Sequence, residues 1–175
     1  MSFLIRKANP GDVPPLAKLL ADYMQETCRG AWGGNAVLLD QHLIEKAVEI
    51  FLAETSSGEI VGFLAWSFSY DLHWCMKGAF IVDLYVCPQY RGRGAAVLLA
   101  TELAAEIQKQ GGTHLKGGAV ETPAVHRLYR RIAMGLGENE YYVSGRAFRH
   151  LASLSGKGLR EIVKNLPEPA WNCEP

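Results

Sequence analysis

Val82–Ala96 reads VDLYVCPQYRGRGAA. A strand-like apolar run ends in a basic, glycine-rich turn, and Val97, Leu98, Leu99, Leu103 and Ile107 beyond it follow a helical stripe. A strand, a glycine turn and a helix N-terminus in that order form an anion site. Successive backbone N–H groups face outward with little side-chain bulk, and the helix adds partial positive charge. On this reading Gly92 and Gly94 matter more than the arginines between them.

Spacing removes two competing phosphate loops. A dinucleotide fingerprint needs Gly or Ala three residues after its second glycine, where this chain has Val97, and no Gly-Lys-Ser/Thr closes a Walker-type loop. What remains is Gln89-Tyr90-Arg91-Gly92-Arg93-Gly94, of the form Gln/Arg-x-x-Gly-x-Gly/Ala, preceded by Leu84-x-Val86-x-Pro88. This segment resembles the coenzyme A loop of the GNAT N-acetyltransferase superfamily.

The bulk properties suit one soluble domain of ordinary size. At 175 residues, 49% of them hydrophobic, the chain is long enough to bury a core, and one domain over 1–175 is expected, its core at about 3–154 and a C-terminal helix and tail at 155–175. The formal net charge is zero, so no overall field draws in nucleic acid or an anionic membrane. Cys28, Cys75, Cys87 and Cys173 form no CxxC pair and the five histidines lack metal-ligand spacing, so no metal is expected and a reduced cytoplasmic setting is the simplest reading. No apolar run approaches the ~20 residues of a membrane span, and charged residues interrupt the N-terminus where a signal peptide needs an apolar core.

Along the chain, Phe3 to Ala8 reads as a strand, and Asn9-Pro10-Gly11-Asp12 as a turn ending in a helix N-cap. Leu16, Leu19, Leu20 and Tyr23 give the next helix its apolar face. The glycine-rich stretch 27–35 reads as a mobile loop before a second helix over about Asp40 to Glu49. Phe51–Glu54 and Ile60–Tyr70 flank a Ser56-Ser57-Gly58 turn, and Gly78–Cys87 forms the next strand. Trp66, Phe68 and Tyr70 alternate on one strand face, a pattern of core residues. A long helix over 94–110 ends at Gly111-Gly112, Leu115–Glu121 is a central strand, and Pro123 starts another helix. Glu140–Leu154 reads as a last hairpin and Leu159–Leu166 as a short helix.

This order predicts a mixed α/β fold in which helices cover both faces of the sheet and the strand ending at Cys87 parts from the strand near Val120. The opening Ile5-Arg6-Lys7-Ala8 and Gly11-Asp12-Val13 also looks like the usual start of a GNAT domain, and the resemblance runs from Phe3 to about Leu154. It implies a GNAT-type mixed, mostly antiparallel central sheet with splayed central strands. It further implies acetyl-coenzyme A as co-substrate and direct attack by an amine in a ternary complex. By position it places Leu84, Tyr85 and Val86 along pantetheine, with the Val86 N–H as oxyanion donor. The backbone of Arg91, Gly92, Arg93, Gly94 and Ala95 falls on the pyrophosphate, with Gln89, Tyr90 and the two guanidiniums at its edge.

A second segment, Thr122-Pro123-Ala124-Val125-His126-Arg127-Leu128-Tyr129, resembles the one in which GNAT proteins have Asn, then Ala, then Leu-Tyr. Here Thr122 replaces the Asn and Val125 the Ala, Thr122 and His126 fall at the cofactor edge, and Tyr129 falls on the tyrosine that protonates the departing thiolate. For an acceptor amine of pKa ~10.4, reaching the neutral form at pH 7 costs about 4.6 kcal/mol, so a base or water chain is needed. Asp83, in a position commonly acidic in the family, is the first candidate, followed by Glu121 and then His73 or His126. The run from Gly62 to Asp71 and on through Asp83-Leu84-Tyr85-Val86 is also similar to the diamine and polyamine acetyltransferase branch, which usually has an acidic residue where Val82 stands.

The acceptor is a polyamine, an amino acid or other small amine, or a peptide amine, and the residues do not choose among them. A non-catalytic acyl-coenzyme A sensor would keep Gly92 and Gly94 without needing Tyr129 or Asp83. A nucleic-acid module using Arg91, Arg93, Arg127, Arg130 and Arg131 conflicts with the zero net charge. Homodimers are frequent in the family, and the chain itself carries no signal for one.

Overall fold

A computed structural model describes residues 2–118, 129–135 and 140–173. In chain order the elements are β1 (Phe3–Lys7), α1 (Val13–Cys28), α2 (Ala36–Ile44), β2 (Glu49–Thr55), β3 (Ile60–Asp71), β4 (Met76–Val86), α3 (Ala95–Lys109) and β5 (His114–Gly118). After them come β6 (Met134–Gly135), β7 (Glu140–Val143), α4 (Gly145–Ser153) and α5 (Leu159–Lys164). The strands form one seven-stranded sheet in the order β1-β2-β3-β4-β5-β7-β6. The β1–β2, β2–β3, β5–β7 and β6–β7 ladders are antiparallel, and β4–β5 is parallel. This is the mixed sheet that the element order predicts, and it is mostly antiparallel, as the resemblance implies.

Two compact units are distinguished, Met1–Trp66 with Asp83–Leu99, and Ser67–Val82 with Ala100–Pro175. In the first, Asn9 accepts from the Gly11 N–H while the Asp12 carboxylate accepts from the Asn9 N–H, a capping box that leads through a short 3₁₀ turn into α1. Leu16 and Leu19 of α1 are buried with Ile50 and Leu52 of β2, Phe63 and Ala65 of β3, and Tyr85 and Cys87 at the end of β4. Gly62 is needed where β3 approaches β4: a Cβ there would lie 2.8 Å from the Tyr85 carbonyl oxygen.

Asp12 also receives both terminal nitrogens of Arg6, at 2.7 Å each, while Arg6 Nε reaches Glu54 at 2.8 Å. The hydrogen bonds from Arg6 hold the Asp12 carboxyl below its ordinary value despite burial. A depressed folded pKa contributes stability above the unfolded value, and that contribution disappears as pH falls through the folded one. Asp12→Ala is expected to cost about 2 kcal/mol near neutral pH by urea unfolding. Below about pH 4 the gap to wild type should close; a gap of constant size down to pH 2 would mean that the ion pair contributes nothing.

In the second unit, β5 pairs with β4 over Gly78–Ile81 and with β7 over Leu115–Gly118. Close backbone approach explains two glycines here: a Cβ on Gly78 would meet the His114 carbonyl oxygen at 2.4 Å, and one on Gly117 would meet Ile81 Cβ at 3.2 Å. The described β4–β5 ladder stops at Ile81↔Gly117, although β4 runs on to Val86. His114 is buried, stacks on Tyr142 and meets the Ser69 hydroxyl through Nε2 at 3.1 Å. Burial lowers its pKa, so the ring is neutral at pH 7.

The structure departs from the sequence reading in several places, among them β6 at Met134–Gly135, which pairs with β7 where a hairpin within Glu140–Leu154 is expected. The second helix starts at Ala36 and ends at Ile44, because Asn35 caps it by accepting from the Val37 and Leu38 N–H groups. Residues 145–153, expected in a hairpin, are helical: Ala147, Phe148, Leu151 and Ala152 are buried at a one-four-five spacing that only a helix puts on one face. Of the alternating aromatics only Trp66 is buried, while Phe68 and Tyr70 are exposed. Alternation tells which residues share a face, not how far along the strand that face is covered.

Candidate functional site

The site is built on the carboxyl end of β4 and the turn that follows it. After Val86 the chain makes a 3₁₀ turn over Pro88–Tyr90, closed by the Tyr90 N–H to the Cys87 carbonyl at 2.9 Å. Gly92 and Gly94 then take φ values of 72° and 95°, a region that side-chain-bearing residues rarely occupy. Leu98 donates to the Gly94 carbonyl at 3.0 Å in the first turn of α3. The N–H groups of Ala95–Val97 precede that bond and by helix geometry lack intrahelical acceptors, so they are aimed out of the N-terminus. A Cβ added at Gly92 meets nothing within 4 Å. A loop with this backbone and open space beside it fits a diphosphate.

The loop is tied to α1. Arg91 donates through Nη1 and Nη2 to the two Glu26 carboxylate oxygens at 2.7 Å each, and through Nε to the Val86 carbonyl at 2.8 Å. Its guanidinium lies over the Tyr85 ring, 5.4 Å from the centroid. The Arg91 bond holds the Glu26 carboxyl below its ordinary value. Burial, with the Glu26 charge nearby, pushes the Tyr85 phenol up to about 12. Arg93 lies over the Tyr90 ring at 5.8 Å, and the Tyr90 hydroxyl donates to Glu59 at 2.6 Å. In this structure Arg91, read from sequence as a phosphate ligand, thus braces the loop.

Asp83, on β4, is partly buried, and its Oδ1 accepts from the Tyr23 hydroxyl of α1 at 2.6 Å. Tyr23 is wedged among rings, edge-on to Phe63 at 6.1 Å and tilted against Tyr85 at 5.6 Å. Burial first, and the bond to Asp83 second, raise the Tyr23 phenol, so it stays a donor at neutral pH. Cys87 is buried and its thiol is raised by that burial, which removes it as a thiolate nucleophile.

Of the other residues read from sequence, Leu84, Val86, Gln89 and Ala95 lie on or next to the same strand and loop. Tyr129 belongs to the second unit, where its ring stacks on Tyr141 with centroids 5.1 Å apart, and burial raises its phenol. His73 is almost fully exposed beside Asp71. Glu121, Thr122 and His126 lie outside the described residues. The sequence reading did not single out Tyr23 and Glu26 as partners of the candidate site residues Asp83 and Arg91. Their spacing, three residues apart on α1, places them on one helix face, but nothing in the spacing names their partners on β4 and the loop.

Among the described residues no group of three or more His, Cys, Asp or Glu side chains is placed to hold a metal, and no helix is long and apolar enough to cross a membrane. No curated protein sequence matches the chain. Solved structures similar to it include the ribosomal-protein-alanine N-acetyltransferase of Brucella melitensis biovar Abortus 2308, with TM-score 0.65 and 24% identity over 77% of this chain and 92% of that one. The PaiA N-acetyltransferase of Thermoplasma acidophilum in complex with coenzyme A has TM-score 0.62 and 14% identity over 82% and 99%. An aminoglycoside acetyltransferase from an uncultured soil metagenomic sample has TM-score 0.60 and 22% identity over 73% and 86%. The family model for the GNAT acetyltransferases matches residues 16–134, which include β4, the glycine loop, α3 and Tyr129, and the chain therefore belongs to the acetyltransferase (GNAT) family.

Proposed function

We propose that this protein is an N-acetyltransferase that transfers acetyl from acetyl-coenzyme A to a primary amine on a small molecule or peptide, by direct attack. The observation that carries this reading is the backbone of Gly92 and Gly94 at the N-terminus of α3, on the same strand-and-loop unit as Asp83. The thioester of acetyl-coenzyme A supplies the activated acetyl group. The loop N–H groups from Gly92 to Ala95 hold the diphosphate, the Arg91 N–H being given to the Pro88 carbonyl at 3.2 Å, and the Val86 N–H is the donor to the carbonyl oxygen. Asp83 takes the proton that an ammonium acceptor must lose before its nitrogen lone pair can form the new C–N bond. Tyr129 gives its phenolic proton to sulfur as the C–S bond breaks with its electron pair, the second proton on the attacking nitrogen passes to the Tyr129 oxygen, and Asp83 releases its proton to solvent, so charge and protons balance. A phenol is protonated at neutral pH and so arrives with a proton to give, burial raising it further.

The test is mass-spectrometric detection of acetylated product when the protein and acetyl-coenzyme A are mixed with polyamines, amino acids, aminoglycosides and short peptides. One acetylated class is expected. Acetyl-coenzyme A bound with no product across the panel would instead favour an acyl-coenzyme A sensor.

A further inference from the structure

We infer that Tyr23 is a positioning residue for Asp83, an assignment that rests on the proposed role of Asp83 as the base. A carboxylate on a strand rotates about two side-chain bonds, and only some orientations present a lone pair to an incoming ammonium. The Tyr23 hydroxyl at 2.6 Å occupies Oδ1 and fixes the carboxylate plane, leaving Oδ2 without a hydrogen bond to any described residue. Oδ2 is thereby the oxygen offered to the acceptor.

Tyr23 is suited to this task because its own ring cannot turn freely. It projects from the face of α1 that buries Leu16 and Leu19, and it packs against Phe63 and Tyr85, whose rings also meet each other at 6.1 Å, so that the three form one aromatic cluster. Tyr85 lies on the same strand as Asp83, two residues on, and carries Arg91 of the glycine loop over its ring. One aromatic contact therefore links the loop to the hydroxyl that aligns the base. A hydrogen bond between a rigid donor and an ionised acceptor is short and directional, which is the geometry needed to hold a reacting group.

The test is a double-mutant cycle on Tyr23→Phe and Asp83→Asn, with Tyr23→Phe keeping the ring and removing only the hydroxyl. Tyr23→Phe alone should lower kcat on the order of tenfold, with the KM for acetyl-coenzyme A unchanged. In the Asp83→Asn background it should have no further effect on kcat, a coupling that loss of packing alone does not produce. A readout independent of turnover uses the unliganded protein: Asp83→Asn should lower the pH at which one tyrosine ionises in a spectrophotometric titration, and Tyr23→Phe should remove that tyrosine's transition. Additive effects in the cycle, or wild-type kcat in Tyr23→Phe beside an impaired Asp83→Asn, would overturn the positioning role and leave Asp83 as the base. Wild-type kcat in Asp83→Asn would overturn the base assignment itself.

Discussion

Acetyl-coenzyme A affinity is expected to fall by about a hundredfold or more when Gly92 is replaced by valine. The residue has φ of 72°, where a β-branched side chain collides with its own backbone, and holding it there costs at least about 1–2 kcal/mol. The loop escapes that strain by turning its peptide planes, and the N–H groups proposed to converge on the diphosphate then diverge. Crowding is not the cause, because space around the position is open. Gly92→Ala should consequently show a milder loss, about tenfold, since it tolerates the left-handed region better than valine. Isothermal titration with acetyl-coenzyme A measures both, and the unfolding midpoint checks that the fold persists. Wild-type affinity in Gly92→Val would remove the loop from the diphosphate site.

Tyr129→Phe should lower kcat about a hundredfold while the dissociation constant for acetyl-coenzyme A stays within about twofold of wild type. The substitution keeps the ring that stacks on Tyr141 and deletes only the hydroxyl. If the thiolate leaves without a proton donor, the later part of the reaction slows and binding is untouched. A thiol leaving group of lower pKa than coenzyme A should lessen the defect, because it needs the donor less. Turnover at the wild-type rate would assign Tyr129 to packing alone.

The two arginines of the glycine loop show where reading residues one at a time stops. Spacing reads Arg91 and Arg93 as charges beside a phosphate site, and both lie on the turn between β4 and α3. Local sequence cannot show that Arg91 is already bound by Glu26, 65 positions away, or that its Nε closes on the Val86 carbonyl. Phe68 and Tyr70 make the same point in reverse. Their alternation was legible, but their exposure depends on which elements reach that end of β3. Helix α4 was missed because the strand pattern of Tyr141–Val143 was carried across Ser144 into a segment whose apolar spacing had changed period.

By itself the sequence determined what depends on chain-local physics. The glycines at 92 and 94 suit the φ values the loop takes, the turn over Asn9–Asp12 follows from its residue types, and the order of strands and helices as far as β5 follows from hydrophobic period, whereas the capping box and the absence of a side-chain cap from Asp12 to α1 emerge only in the fold. Only the tertiary structure decided which distant groups meet: Tyr23 on Asp83, Glu26 on Arg91, and Arg6 between Asp12 and Glu54. The reason is that a hydrogen bond or ion pair forms over about 3 Å, a distance set by how strands register and helices pack and by nothing encoded in the separation of residues along the chain.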